Sequence, residues 1–286
     1  GAKTELKFEV LCRKNVDYKS ALSQVFSAIN LGEIRFGYKQ NRGLGKLKIN
    51  AVYAREFSKN GDKNWFDFDW KMSDENCVTN SWLNAEVNKT ALISARLELI
   101  GGISIRKYFA KEQEPDFIHI HCAGKPIIPG SSWSGAFLHR AKLILTELGL
   151  EVSAAEKLLS GVFGFVNNKK SAASQIIFDE SVIEGGNEVV MTRNRINRFD
   201  ASTVDGALYT EKTHFGGNCT LEIRIKNIEE NRWVEGLILL VLKDLQGGFL
   251  SVGGETSIGR GLFSLKSKEE EIFENLDEKL QALSDK

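Results

Sequence analysis

Apolar positions along this chain fall into two periods. Over residues 93–100 (ISARLELI) and 221–225 (LEIRI) they alternate, as in a strand with one buried face. Over residues 134–148 (SGAFLHRAKLILTEL) and 233–245 (WVEGLILLVLKDL) they recur every three or four positions, as in a helix with one apolar stripe. Residues 175–178 (QIIF) form a short apolar run that reads as a further strand. Near the end, Phe273, Leu276, Leu280 and Leu283 stand at helical spacing, which predicts a docked amphipathic helix over 267–286.

The pattern occurs twice. Residues 4–49 and 220–265 share one grammar: alternating apolar residues, a helical stretch, then a glycine-rich loop running into a last strand. The first copy opens with Leu6, Phe8 and Val10 and continues through Leu22, Val25, Phe26 and Ile29; the second opens with Leu221, Ile223 and Ile225. Strand, helix, loop and strand make half of a βαββαβ unit, and each half needs another to cover its sheet. The second copy has its partner upstream, in the strand at 93–100, the helix at 134–148 and the run at 175–178. The first copy has none upstream, so either it belongs to a longer protein or it pairs with the region around Trp65 to Trp82. The expected fold class is therefore α+β, built from ferredoxin-like (RRM-like) modules. Residues 1–57 read as the C-terminal half of a first module, 58–90 as a linker or insertion, 91–266 as a complete module and 267–286 as the terminal helix.

Composition narrows the classes. Of 286 residues, 42% are hydrophobic, enough for a sizeable core. No run approaches 18 uninterrupted apolar residues and the first residues lack a secretory pattern, so neither a membrane partner nor export is expected and the reading is cytoplasmic. Cys12, Cys77, Cys122 and Cys219 are far apart with no C-x-x-C pair, which points to reduced thiols rather than structural zinc or disulfides. The histidines (His119, His121, His139, His214) form no H-E-x-x-H motif. Formal net charge is zero, with 38 basic and 38 acidic side chains, which alone argues against nucleic acid. The distribution says otherwise. Residues 34–55 carry Arg35, Lys39, Arg42, Lys46, Lys48 and Arg55 and no acid; residues 117–146 carry Lys125, Arg140 and Lys142 and no acid; the acids gather in the tail.

Three segments carry candidate chemistry. At residues 124–140 (GKPIIPGSSWSGAFLHR) a strand ends, Pro129-Gly130 turns the chain, and Ser131 and Ser132 stand where they can cap a helix whose free N–H groups suit phosphate. At residues 253–261 (GGETSIGRG) glycines such as Gly253 and Gly254 expose backbone amides, Ser257 adds a hydroxyl and Arg260 a fixed charge. The earlier copy, residues 37–45, contains Arg42; neither copy is a P-loop. At residues 192–199 (TRNRINRF), Arg193, Arg195 and Arg198 lie on what reads as an extended hairpin or arm, suited to gripping a backbone or stacking on bases.

In this order the segments resemble the RAMP superfamily, whose members build the backbone of type III CRISPR effector complexes. The matching features are the strand at 97–100, Ile128-Pro129-Gly130-Ser131-Ser132, Phe163-Gly164, the arginines at 193–198 and the loop from Gly254 to Gly261. The resemblance implies a modified ferredoxin-like fold with a thumb hairpin. It implies a chain that binds guide RNA (crRNA) beside other effector subunits in antiviral defence. The glycine loop, Ser131 and Ser132 would hold guide phosphates, and the arginine arm would interrupt the guide–target duplex. It also implies an aspartate before the I-P-G-S-S segment that cuts target RNA with Mg²⁺ or Mn²⁺, with no structurally bound cofactor; Asp116 is the acid at that place. One departure is Trp133-Ser134-Gly135, where the family often has a Lys. His119 and His121 alternate beside Asp116. Two other readings are a metal-independent RNA-processing endoribonuclease centred on a histidine such as His139, and a non-catalytic scaffold module.

Overall fold

The computed structural model describes residues 3–12, 16–37, 40, 44–57, 67–85, 90–108, 115–167 and 170–285. The chain divides into two compact units, one formed by residues 1–40 and 45–88, the other by 41–44 and 89–286.

In the first unit, α1 (Tyr18–Asn30) starts where the Asp17 carboxylate accepts the Ser20 N–H at 3.1 Å, an N-cap that satisfies a free donor. Phe26 is buried and stacks on Trp82 of the short helix α2 (Thr79–Trp82), ring centroids 6.0 Å apart. The alternation at Leu6, Phe8 and Val10 makes no strand. Residues 3–12 are exposed and unpaired by sheet ladders, because no described strand of this unit offers them an edge. A strand-like period becomes a strand only where a partner exists.

The second unit holds the core. Its first sheet contains β1 (Ala91–Ile100), followed along the chain by β2 (Gly102–Ile103), β3 (Arg106–Tyr108), β4 (Phe117–His119), β5 (His121–Cys122) and β6 (Lys125–Ile128). Then come α3 (Gly130–Glu147), α4 (Val152–Phe163), the small hairpin β7 (Phe165–Asn167) and β8 (Lys170–Ala172), β9 (Ile176–Phe178) and β10 (Ser181–Val182). The chain continues through β11 (Asn187–Arg193), β12 (Tyr209–Phe215), β13 (Asn218–Ile225), α5 (Arg232–Gln246), β14 (Leu262–Leu265), α6 (Glu269–Ile272) and α7 (Leu276–Ser284). The main sheet runs β14-β1-β13-β9, every neighbour antiparallel. Taken in chain order its members are strand, helix α3, strand, strand, helix α5, strand, with the first and third strands central.

Alternation decides which face is covered. Ile93, Ala95, Leu97 and Leu99 of β1 and Leu221 and Ile223 of β13 are buried in one core with Trp133 and Phe137 of α3 and Leu237 and Val241 of α5. Each large side chain so buried contributes roughly 1.5–3 kcal/mol. The opposite face of β1 shows Leu92, Ser94, Arg96 and Ile100 to solvent and carries no aromatic ring. At Gly236, a Cβ would meet the Lys279 carbonyl oxygen at 2.4 Å, so glycine lets α7 lie close along α5.

A second sheet, absent from the sequence reading, runs β11-β12-β4-β3, with β12 and β4 parallel and β2 added to β12. A third, β10-β6-β5, closes beside it. Strands β11 and β12 pair over their full length, from Asn187↔Phe215 to Arg193↔Tyr209, as one long hairpin.

Candidate nucleic-acid interface

The glycine-rich loop at residues 253–261 is held to the segment at 102–104 by backbone bonds, and glycine is required at Gly253 and Gly261. Gly254 N–H donates to the Ser104 carbonyl at 2.7 Å, and Gly261 N–H to Gly102 at 2.8 Å. Gly261 has φ +73°, and a Cβ there would sit 2.0 Å from the Val252 carbonyl oxygen. Gly253 has φ +99°, with Ser104 O at 2.9 Å from the same ideal position. Glu255, at φ 60°, takes a left-handed conformation without being glycine.

That turn aims Glu255 into a buried ionic cluster. Arg260 Nη2 donates to Glu211 Oε1 at 2.9 Å, and Arg193 Nε donates to the same oxygen at 2.6 Å. Arg260 Nε lies 3.2 Å from Glu255 Oε2, and Arg106 Nη2 donates to Glu255 Oε1 at 3.0 Å. The side chains of Glu211 and Arg260 are 0% and 5% exposed, so the pair is fully desolvated. Burial first, and then the neighbouring Glu211, push the Glu255 carboxyl above the usual carboxylate range against the pull of Arg260 and Arg106. Three arginines thus meet two carboxylates, and the cluster binds loop, hairpin and β3 together. Glu211, Glu255 and Arg106 were not legible as site residues, since an acid in an alternating strand such as YTEKTHF gives no sign that it points inward.

The predicted contacts divide by position. Arg195, Arg198, Lys125, Ser131 and Ser257 are exposed; Gly253 is exposed and Gly254 half-buried. Arg260, read from the sequence as a phosphate contact, lies inside and pairs with Glu211 and Glu255. Arg193, half-buried, ends β11 and pairs with Glu211. Arg140 ties α3 to α5 through Asp244 at 2.6 Å. Ser131 and Ser132 do not cap α3. The helix begins one residue earlier, with Pro129 at the N-cap and no side-chain cap bond, and the Ser132 N–H returns to the Pro129 carbonyl at 2.9 Å. Trp133 explains this: it is fully buried with Nε1 on Ser181 Oγ at 3.1 Å, and that anchor fixes the helix start. Arg42 lies outside the described residues.

Asp116 is exposed at the start of β4, and its Oδ2 accepts the Thr210 N–H at 2.6 Å. Among the described residues no group of three His, Cys, Asp or Glu is placed to hold a metal ion. Three of the histidines, His119, His121 and His214, are held by protein partners. His119 is fully buried, with Nδ1 accepting the Ile105 N–H at 3.2 Å and Nε2 facing the Ile127 carbonyl at 2.9 Å. Desolvation, helped by His214, holds its pKa down to about 4, so the ring is neutral. His214 is lowered as well, by burial. His121 Nε2 lies 2.8 Å from Glu188 Oε1, and Lys212 pairs with the other Glu188 oxygen. His139 is exposed on α3, away from this group. In the described residues no helix is long and apolar enough to cross a membrane.

Comparisons with known proteins place these elements in a family. A comparison with curated proteins gave no match. One chain of a solved structure, described as a cryo-EM structure of the Type III-B Cmr-beta bound to cognate target RNA, is similar at 12% identity with a TM-score of 0.44; the match covers 61% of this chain and 96% of that one. The family description "RAMP superfamily" matches residues 115–264, a span that begins just before Asp116, holds the hairpin and the glycine-rich loop and ends in β14. That span is more than half of the sequence, and the chain belongs to the RAMP superfamily.

Proposed function

We propose that this protein binds guide RNA as a backbone-type subunit of a type III CRISPR effector complex. The observation that supports it most is the buried cluster of Arg106, Arg193, Arg260, Glu211 and Glu255. It fixes the glycine-rich loop to the turn-side end of the β11–β12 ladder, so that two candidate RNA-facing elements act as one rigid body. Beyond that end of the ladder the chain carries Arg195 and Arg198 into solvent beside the fully exposed Phe199. Exposed arginines with an aromatic neighbour suit phosphate gripping and base stacking.

In this reading the four-stranded β14-β1-β13-β9 sheet is ferredoxin-like and the hairpin is the thumb. RNA does not lie across the open sheet face as in an RRM, because that face of β1 has no aromatic side chain on which to stack a base. Loop amides and exposed arginines instead track the backbone, which makes binding independent of sequence. Target RNA and neighbouring effector subunits are the expected partners. The experiment is direct binding of single-stranded RNA by the full chain across a salt series, with DNA of the same sequence as the comparison.

Cleavage of target RNA is a second reading, supported by the exposure of the Asp116 carboxylate beside the turn-side end of the hairpin ladder. His119 is unsuited to proton transfer in a histidine-centred endoribonuclease, since it is buried and both its ring nitrogens are engaged by the backbone; the histidine-centred alternative rests on His139, which is exposed on α3.

A further inference from the structure

We propose that Tyr108 and Tyr209, backed by Phe117 and Arg106, form a stacking platform for an unpaired RNA base at the turn-side end of the β11–β12 ladder. The register of the second sheet sets Tyr108 opposite Phe117, and Phe117 in turn opposite Glu211, next but one to Tyr209. Their rings form a continuous run. Tyr108 meets Phe117 edge to face at 5.9 Å between centroids, and Phe117 stacks on Tyr209 at 5.8 Å with 26° between planes. The Arg106 guanidinium lies over the Phe117 ring at 4.1 Å. Phe117 is buried, so it braces the run rather than taking part in binding. Tyr108, by contrast, is 71% exposed at its end.

An aromatic side chain so exposed, rooted in a ring stack, offers a face on which a base can stack. The surroundings favour a nucleotide. Arg106 is exposed and Arg193 half-buried on the same face, and with the buried Arg260 they make three arginines against two carboxylates. Stacking supplies sequence-tolerant affinity for the base, while the arginines attract the flanking phosphates. Asp116 directly precedes Phe117 and binds the Thr210 N–H, so a base held here would bring its own phosphate close to that carboxylate.

This inference rests on the RNA-binding reading, and its test separates the two. Binding of a single-stranded RNA and of the same strand carrying abasic sites is measured for the wild type, Tyr108→Ala and Tyr108→Trp. The wild type binds the base-bearing strand about 5- to 100-fold more tightly than the abasic one. Tyr108→Ala loses most of that preference, keeps its salt dependence and binds the abasic strand as the wild type does; Tyr108→Trp restores the preference. Because Tyr108 is exposed, the substitutions leave the fold intact, which circular dichroism checks. If Tyr108→Ala keeps the full preference, the platform is overturned while RNA binding stands. If the wild type binds neither strand at low salt, the RNA reading fails and the platform with it.

Discussion

Arg260 and Glu211 meet in the interior, Nη2 to Oε1 at 2.9 Å, one from the glycine-rich loop and the other from the middle of β12. A charge pair this deeply desolvated holds only while both members remain, because either one alone would be a buried, uncompensated ion. The same Glu211 oxygen accepts from Arg193, so one carboxylate fixes both the loop and the last residue of β11.

Arg260→Ala should therefore act first on stability. The variant leaves Glu211 with Arg193 alone and Glu255 with Arg106 alone, and is expected to lose about 3 kcal/mol. Exposed Arg195→Ala should stay within roughly 0.5 kcal/mol of the wild type. Urea unfolding of the three proteins checks the contrast; equal midpoints for all would show that the cluster does not anchor the loop.

Two glycines of the loop should differ sharply when replaced by alanine. Both have positive φ, which costs an alanine roughly 1 kcal/mol. A Cβ at Gly259 meets open space, whereas at Gly261 it would sit 2.0 Å from backbone. Gly259→Ala is thus expected to lose about 1 kcal/mol and Gly261→Ala at least about twice that, with thermal unfolding as the measurement.

The buried His119 makes stability fall on acidification. Its folded pKa of about 4 lies below the ordinary 6.5, so its contribution is complete above pH 6.5 and is lost as pH falls from there toward about 4. Integrated over that interval the loss is about 3 kcal/mol. In a carbon-edited NMR titration the His119 ring should remain neutral at about pH 5, where an ordinary histidine is protonated. A midpoint near 6.5 would contradict the burial described here.

Asp116→Asn keeps an oxygen for the Thr210 N–H but removes the charge. If Asp116 takes part in target cleavage, the variant binds RNA as the wild type does and loses cutting in Mg²⁺ or Mn²⁺, and EDTA abolishes cutting by the wild type. Undiminished cutting by Asp116→Asn would remove Asp116 from the chemistry.

The main sheet was legible because each of its strands and helices has a clean period. Positions 93–100, 134–148, 221–225 and 233–245 all fall within elements that share one core. The second sheet was not legible. Strands β3 and β4 have three residues each, too few to show alternation, and β12 points Glu211 and Thr213 inward, which breaks the apolar signal. Helix α4 passed unread in the same way, between the helix at 134–148 and the run at 175–178. At the site, sequence reasoning found the loop and the arginine arm but could not tell a buried Arg260 from an exposed Arg195. That distinction depends on two glutamates, Glu211 and Glu255, brought to Arg260 from 49 and 5 residues away along the chain — a matter of tertiary pairing, not local pattern.

The most direct test of the account is RNA binding by the full chain across a salt series, with the wild type beside the Arg195→Ala/Arg198→Ala double variant and matched DNA. The account predicts RNA binding that weakens steeply as salt rises. It predicts that the double variant binds more weakly, with its log–log salt slope reduced by about 1 to 2. A folded wild type that fails to bind RNA at low salt, or a double variant with unchanged affinity and slope, would contradict it.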